Sequence, residues 1–302
     1  MSDQLSKLRV IYIGGAEHNG STFLGASLGN HDLVTCVGEL SELPREGWIT
    51  DSACACGLRI SECAFWATVR QTWEKNVNDQ VNSLTSLENA FDRNRRFPHL
   101  IVNKYRKSGE FSKYCYYTYE LFHAIRQVSG NSVIVDTSKR FSRALALSLV
   151  EGIDLKLIHL VRDARGVVHS WTKPYRSRRR GLLDASIRWN LTNGAFDLIR
   201  RFLGDERVLV VRFEDLITEP TKALSQIGDF TNLNFGSVAG LLMNGDPLVL
   251  GHMGIGNDFL RREKSVILRS KIDWPQKMPK DDQRRVWLLT ARRMRYYGYN
   301  QK

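Results

Sequence analysis

Residues 8–28 read LRVIYIGGAEHNGSTFLGASL, and this stretch decides the fold. Val10, Ile11, Tyr12 and Ile13 make the continuous β-branched and apolar run that a strand buried on both faces of a parallel sheet requires. Gly14 and Gly15 end the run, and Gly20, Ser21 and Thr22 open an apolar segment suited to a helix. Gly15 and Gly20 stand five apart. A turn of that length can aim its backbone N–H groups, together with the unpaired N–H groups of the next helix, at one point. The stretch is therefore expected to form strand, phosphate loop and helix, with an anion at the turn. Its spacing is that of the loop G-x-x-x-x-G-K-[ST], but Ser21 stands where that loop carries a lysine for a β/γ-phosphate. A kinase or NTPase built on it would lack its main cation on the moving group.

The 302 residues, 42% of them hydrophobic, can bury a large core. The expectation is one domain over residues 1–302, with a Cys-containing and helical insert at about 45–130. Lys and Arg number 44 against 32 acidic residues, a net charge of +12 that suits a polyanionic ligand, an acidic acceptor, nucleic acid or a membrane surface without choosing among them. The start, MSDQLSKLRV, lacks the charged-then-apolar build of a signal peptide, and no apolar run approaches the roughly 18–20 residues of a bilayer span. A soluble, cytoplasmic chain is expected. Five cysteines are too few and too odd a number for a disulfide scaffold, which points to reduced thiols.

Beyond the loop, Glu39 follows Gly38 after a second expected strand, a place from which a carboxylate can return toward the phosphate loop. Cys54, Cys56 and Cys63 form C-x-C-x6-C, which offers three local ligands, with Cys36 as a possible fourth; the pattern lacks the C-x2-C pairs of a zinc ribbon. The preferred reading is metal-free, with buried thiols beside Phe65 and Trp66. Residues 67–130 read as helices, and Tyr116, Tyr117 and Tyr119 are assigned to core in preference to an acceptor pocket. SVIVDTSKR is a strand that ends near Lys139, and LKLIHLV is another that ends at Arg162. Strand ends of open parallel sheets gather ligands. With a helix starting near Asp163, Ser170 lies about two turns below Arg162, so guanidinium and hydroxyl can address one phosphate. ERVLVVRFEDL supplies a further strand, Pro220 opens a helix, and Asp281 to Tyr297 reads as a terminal helix. The basic run Tyr175–Arg180 is read first as solvated charge, with a lid or acceptor clamp as its functional alternative.

Three blocks resemble the sulfotransferases that use 3'-phosphoadenosine 5'-phosphosulfate (PAPS). GAEHNGSTFL is similar to their 5'-phosphosulfate loop, LVRDARGVVHSW to their 3'-phosphate block, and VRFEDLITEP to the strand-and-turn block that follows. The resemblance implies an α/β fold: a P-loop-like three-layer core with a central parallel sheet flanked by helices, plus the helical insert as part of the acceptor side. It implies a cofactor-binding set of Glu17, His18, Asn19, Gly20, Ser21, Thr22 and Phe23 at the loop, Arg162 and Ser170 at the 3'-phosphate, and Phe213 after the later strand. GHMGIGNDFLRR resembles an H-x-x-x-G-N block of bacterial-type members, which adds Asn257 and Arg261 and brings in His252. The chain departs from the family at His18, where Arg or Lys is usual, and at Phe213, where Tyr is commoner. A 5'-phosphosulfate carries less charge than a triphosphate, in keeping with Ser21 in place of the lysine.

Sulfuryl transfer in line from a phosphate oxygen needs positioning, a base for the acceptor proton, and cations or N–H donors on the leaving phosphate. The catalytic candidates are His252, Glu39, Lys139 and His18. For the base His252 is slightly preferred over Glu39, because an unperturbed imidazole titrates near 6.5 whereas a carboxylate needs burial to rise. The expected products are a sulfated hydroxyl, less readily an amine, of a small metabolite or sugar, and 3'-phosphoadenosine 5'-phosphate (PAP), with no metal required. The competing classes are a P-loop nucleotide kinase or NTPase and a basic nucleic-acid-binding protein. Neither nucleic acid nor membrane is an expected partner.

Overall fold

The computed structural model describes residues 7–105, 108–173, 181–256, 265–267 and 272–301. Leu8–Gly14 is β1, buried at six of its seven residues as the apolar run requires. Val34–Gly38 (β2), Val133–Lys139 (β3), Ile153–Val161 (β4) and Val208–Arg212 (β5) complete a parallel sheet of order β2-β3-β1-β4-β5, flanked by helices. The chain runs from β1 to one side of the sheet and then to the other, so β1 is the switch point where such sheets bind ligands. Between β2 and β3 the register slips after Cys36, which sets Gly38 opposite Asp136. Leu248–Val249 (β6) and Ser265–Val266 (β7) form a separate antiparallel pair.

By packing, the chain divides into two compact units. The first comprises Met1–Ile13, Thr22–Leu157 and Pro247–Ile267. A parallel crossover from β2 to β3 needs about a dozen residues. Residues 39–132 lie there, and the helices Ala64–Val77, Val81–Phe91, Phe97–Tyr105 and Gly109–Ser129 occupy most of them, as the periodicity over 67–130 predicts. Trp66, Trp73, Phe111, Tyr114 and Phe122 are fully buried within this unit, and Trp73 Nε1 donates to Tyr117 O at 3.0 Å. Tyr117 is buried with its hydroxyl on Asp79, while Tyr116 is exposed and donates to Asn76 O at 2.9 Å. The last of these helices starts at Ser108, whose Oγ accepts from Phe111 N, and stops at Gly130 in the left-handed region.

The second unit comprises Gly14–Ser21, Ile158–Asp246 and Leu268–Lys302. Its core joins Val161, Val167, Val168, Trp171, Trp189, Trp274, Trp287 and Tyr297. Val208–Arg212 passes directly into a helix, Phe213–Thr218, so the FEDL segment expected to extend the strand is helical. Pro220–Thr231 and the terminal Lys280–Tyr296 helix form as expected, the latter with Asp281 and Asp282 in its first turn and Arg293 and Arg295 in its last, which complements the helix dipole. The basic run Tyr175–Arg180 lies outside the described residues. Among the described residues no helix is long and apolar enough to cross a membrane.

His159, on β4, is fully buried, with Nε2 2.9 Å from Asn193 Oδ1 and its ring stacked on Phe196 at 4.9 Å. Burial pulls its pKa from 6.5 down to about 4. Between those values the unfolded chain holds a proton that the folded chain does not, so stability falls as pH drops through this window. The difference corresponds to about 3 kcal/mol. Urea unfolding of the wild type and of His159→Gln at a series of pH values is expected to show the wild type losing about that much more on acidification from about pH 7 to about pH 4. A gap between the two proteins that does not change with pH would remove His159 from the acid response.

Candidate functional site

The turn after β1 is built around Asn19. Its buried side chain donates from Nδ2 to Leu160 O at 2.9 Å and accepts Ser21 N at 3.1 Å on Oδ1, while its own N–H reaches Ala16 O at 3.2 Å. Asn19 therefore spends its side chain on fixing the loop to β4. Gly15 has φ 138°, and a Cβ there would fall 2.3 Å from Leu160 O; Gly20 has φ 96°, and a Cβ there would fall 2.3 Å from the Phe213 ring. Only glycine allows these approaches. Between them His18 takes φ 63° and sets its ring edge-on to Trp171 at 5.8 Å. Glu17 is exposed, Ser21 and Phe23 are buried, and Thr22 is half-buried.

Arg162 follows β4. Its Nη1 donates to His18 O at 2.9 Å, its guanidinium lies 4.8 Å from the Phe213 ring, and its own carbonyl accepts Trp189 Nε1 at 3.0 Å. Phe213 thus packs against both Gly20 and Arg162. Burial lowers the Arg162 pKa from its ordinary value, with the Glu214 charge acting the other way. Its Nε is buried and has no hydrogen-bond partner among the described residues. A desolvated guanidinium with an orphaned N–H is what an anionic ligand would complete. Ser170 sits, half-buried, on the Ala164–Thr172 helix that starts next to Arg162.

Neighbouring charges in the same block have internal duties. Asp163 caps that helix by accepting Arg165 N at 2.8 Å, and it pairs with the Arg165 guanidinium at 2.7 and 3.0 Å. Arg165 also donates to Asn300 O and Gln301 O, and it lies over Trp274 at 4.7 Å. Glu214 accepts Asp163 N at 3.1 Å and the Tyr299 hydroxyl at 2.6 Å. Sequence reading missed this bracing of Arg162. The Asp-Ala-Arg-Gly start of a helix was the available signal for the cap alone.

In the first unit, Glu39 follows β2, Lys139 ends the adjacent β3, and the two form an ion pair through Glu39 Oε1 and Lys139 Nζ. The Glu39 N–H is held by Ile255 O at 2.8 Å. Lys139 has φ 66°, a left-handed conformation that costs a lysine on the order of 1 kcal/mol and is typical of functional sites. Ser41 N donates to Ser138 Oγ at 3.0 Å, and Ser138 N donates to Asp136 Oδ1 at 2.9 Å, so the two strand ends are laced together.

His252 is not beside this pair's carboxylate. Its Nδ1 lies 3.3 Å from Cys63 Sγ and 4.0 Å from Cys54 Sγ, its ring stacks on Phe65 at 5.0 Å, and its carbonyl accepts Trp66 Nε1 at 2.8 Å. Cys36, the fourth thiol considered for that cluster, is instead on β2, with its Sγ close to Gly25. Asn257 and Arg261 lie outside the described residues.

The description "Sulfotransferase family" matches residues 10–237, well over half of the chain. Among solved structures, the sulfotransferase domain from the Synechococcus PCC 7002 olefin synthase is similar over 99% of this chain and 98% of its own, at 20% identity and TM-score 0.56, a likeness of fold. The sulfotransferase domain from the curacin biosynthetic pathway aligns over 93% and 96% of the two chains, at 17% identity and TM-score 0.49. No curated protein matches the sequence significantly.

Proposed function

The chain belongs to the sulfotransferase family, and from that premise we propose that it moves the sulfuryl group of PAPS to a hydroxyl of a small metabolite or sugar. The observation that carries this reading is Arg162: a half-buried cation just past the end of β4, tied to the phosphate-type loop through His18 O. The residues present fit a donor with a phosphate at its 3' position. Arg162 and Ser170 would hold that phosphate, and Gly20, Ser21 and Thr22 would turn toward the 5'-phosphosulfate. When bound, the donor supplies a sulfuryl group activated on a phosphate oxygen.

The chain's own residues then have three tasks. Glu39 takes the acceptor's proton on its carboxylate. Lys139 supplies positive charge beside that carboxylate. The ion pair with Lys139 holds the Glu39 carboxylate in place. The helices between β2 and β3 are the part of the chain we assign to the acceptor side, within a single sulfotransferase domain.

Calorimetric titration with 3',5'-adenosine bisphosphate, 5'-AMP and ATP tests the donor assignment. Binding is expected to depend on the 3'-phosphate, and Arg162→Ala is expected to weaken it about tenfold to a hundredfold, the loss of one charge-assisted contact of about 1.5–3 kcal/mol. Preference for ATP, or an Arg162→Ala protein that binds as well as the wild type, would overturn the assignment.

A further inference from the structure

Cys54, Cys56, Cys63 and His252 each place one ligand atom within 4.8 Å of all the others. We infer that these four residues form a tetrahedral zinc site, which clips the Cys54–Cys63 segment to the turn that carries His252. Around a tetrahedral zinc, with Zn–S about 2.3 Å and Zn–N about 2.0–2.1 Å, a sulfur and a nitrogen stand about 3.6 Å apart. The two His252 Nδ1 to Sγ distances, 3.3 and 4.0 Å, bracket that spacing. Four such ligands close the coordination sphere, which makes the site structural rather than catalytic. An iron–sulfur cluster would spread its protein ligands over several irons and needs a wider cage.

The backbone around the cluster is built to hold it. Cys54 N donates to Leu58 O at 2.8 Å and Gly57 N to Cys54 O at 3.0 Å, with Gly57 at φ 97° and a bridge between Ala53 and Arg59 closing the hairpin. Cys54 and Cys56 lie on this tight turn, which brings their sulfurs within 4.8 Å of each other. Cys63 precedes the Ala64–Val77 helix without using its side chain as a cap. The fourth ligand is pinned from both sides: Ala55 N donates to Met253 O at 3.1 Å, and Trp66 Nε1 holds the His252 carbonyl. On binding, the three thiols release their protons to solvent, and the imidazole ligates through a neutral Nδ1. The site carries consequences for Glu39, because Gly254 N donates to Val37 O at 3.1 Å and Ile255 O accepts Glu39 N. Zinc thus anchors the strap that flanks Glu39 and makes His252 a ligand rather than a base. It does so whether or not the donor assignment above holds.

The test is metal analysis of the purified wild-type chain, expressed with zinc and dialysed without chelator. One zinc per chain is expected. Replacement by Co²⁺ is expected to give a thiolate charge-transfer band in the near ultraviolet and the intense visible bands of tetrahedral cobalt. His252→Ala and Cys56→Ser are expected to lose the metal, whereas His252→Cys, which offers a fourth thiolate, is expected to retain it. A wild-type protein that carries no zinc and gives no charge-transfer band with added Co²⁺ would overturn the site, however the variants fold. Full zinc retention by His252→Ala with a native circular dichroism spectrum would overturn it as well.

Discussion

Glu39→Gln is expected to lower kcat by about 10²- to 10⁴-fold, the contribution of a positioned general base, while binding of 3',5'-adenosine bisphosphate stays at the wild-type level. The expectation rests on how the carboxylate is held. It emerges directly after Gly38, where β2 departs from regular register, and its main chain is fixed by Ile255 O. One carboxylate oxygen is on Lys139, and the other has no hydrogen bond among the described residues. That second oxygen is the one available to an acceptor hydroxyl. Glutamine keeps the shape and removes the basicity, so a structural role would survive the change and a proton-transfer role would not. Lys139→Met is expected to cost about 10²- to 10³-fold in kcat through lost charge stabilisation. Because the two side chains act as a pair, the double variant is expected to be little worse than the worse single one. Initial-rate kinetics with a labelled donor separates these outcomes, and an unchanged kcat in Glu39→Gln would move the base elsewhere.

Much of this was legible in the sequence, for physical reasons that differ from residue to residue. The run Val10–Ile13 announced a buried parallel strand because no polar residue interrupts it, and Gly15 and Gly20 announced the loop because each sits where a Cβ would strike a neighbour. Arg162 was visible as a strand-end cation beside a helix start. What stayed hidden depends on contacts between distant segments. His252 lies 189 residues from Cys63, so no local spacing pairs them, and the titration of a free imidazole made it look like a base. The side chain of Asn19 fixes the loop through Leu160 O and Ser21 N, two contacts that no local pattern signals. Phe213 looked like the end of a strand, yet β5 stops at Arg212 and the ring serves as packing between Gly20 and Arg162. Arg143, in the helix Phe141–Leu147, is among the most buried side chains of the described residues, and its carboxylate partners come from distant segments.

Arg143→Met is expected to reduce the unfolding free energy by about 3–5 kcal/mol, the cost of stranding buried carboxylates without their cation. Arg143 pairs with Asp92 and, at 2.8 Å from its Nε, with Asp136, while Glu88 approaches to 3.7 Å. All four side chains are essentially excluded from water. Burial first, and then the charge of Asp92, push the Glu88 carboxyl well up, and burial raises Asp92 as well, with the charge of Arg143 acting the other way on both. Tyr114 adds a hydroxyl to Asp92, and Asp136 in turn accepts Ser138 N at 2.9 Å. The arginine therefore ties the Val81–Phe91 helix to β3, one step from Ser138 and the strand end that carries Lys139. Replacing Asp92 by Asn in the Arg143→Met background is expected to recover part of the loss, because it removes one of the stranded charges; a double-mutant cycle from urea unfolding measures the coupling. Arg143→Met at wild-type stability would mean that the buried charges are already neutral in the folded chain. In that case the connection to Lys139 would run through packing alone, and kcat would stay unchanged with stability. Loss of stability with kcat lowered in the surviving folded protein would instead identify the buried ion network as the frame that holds the Glu39–Lys139 pair in place.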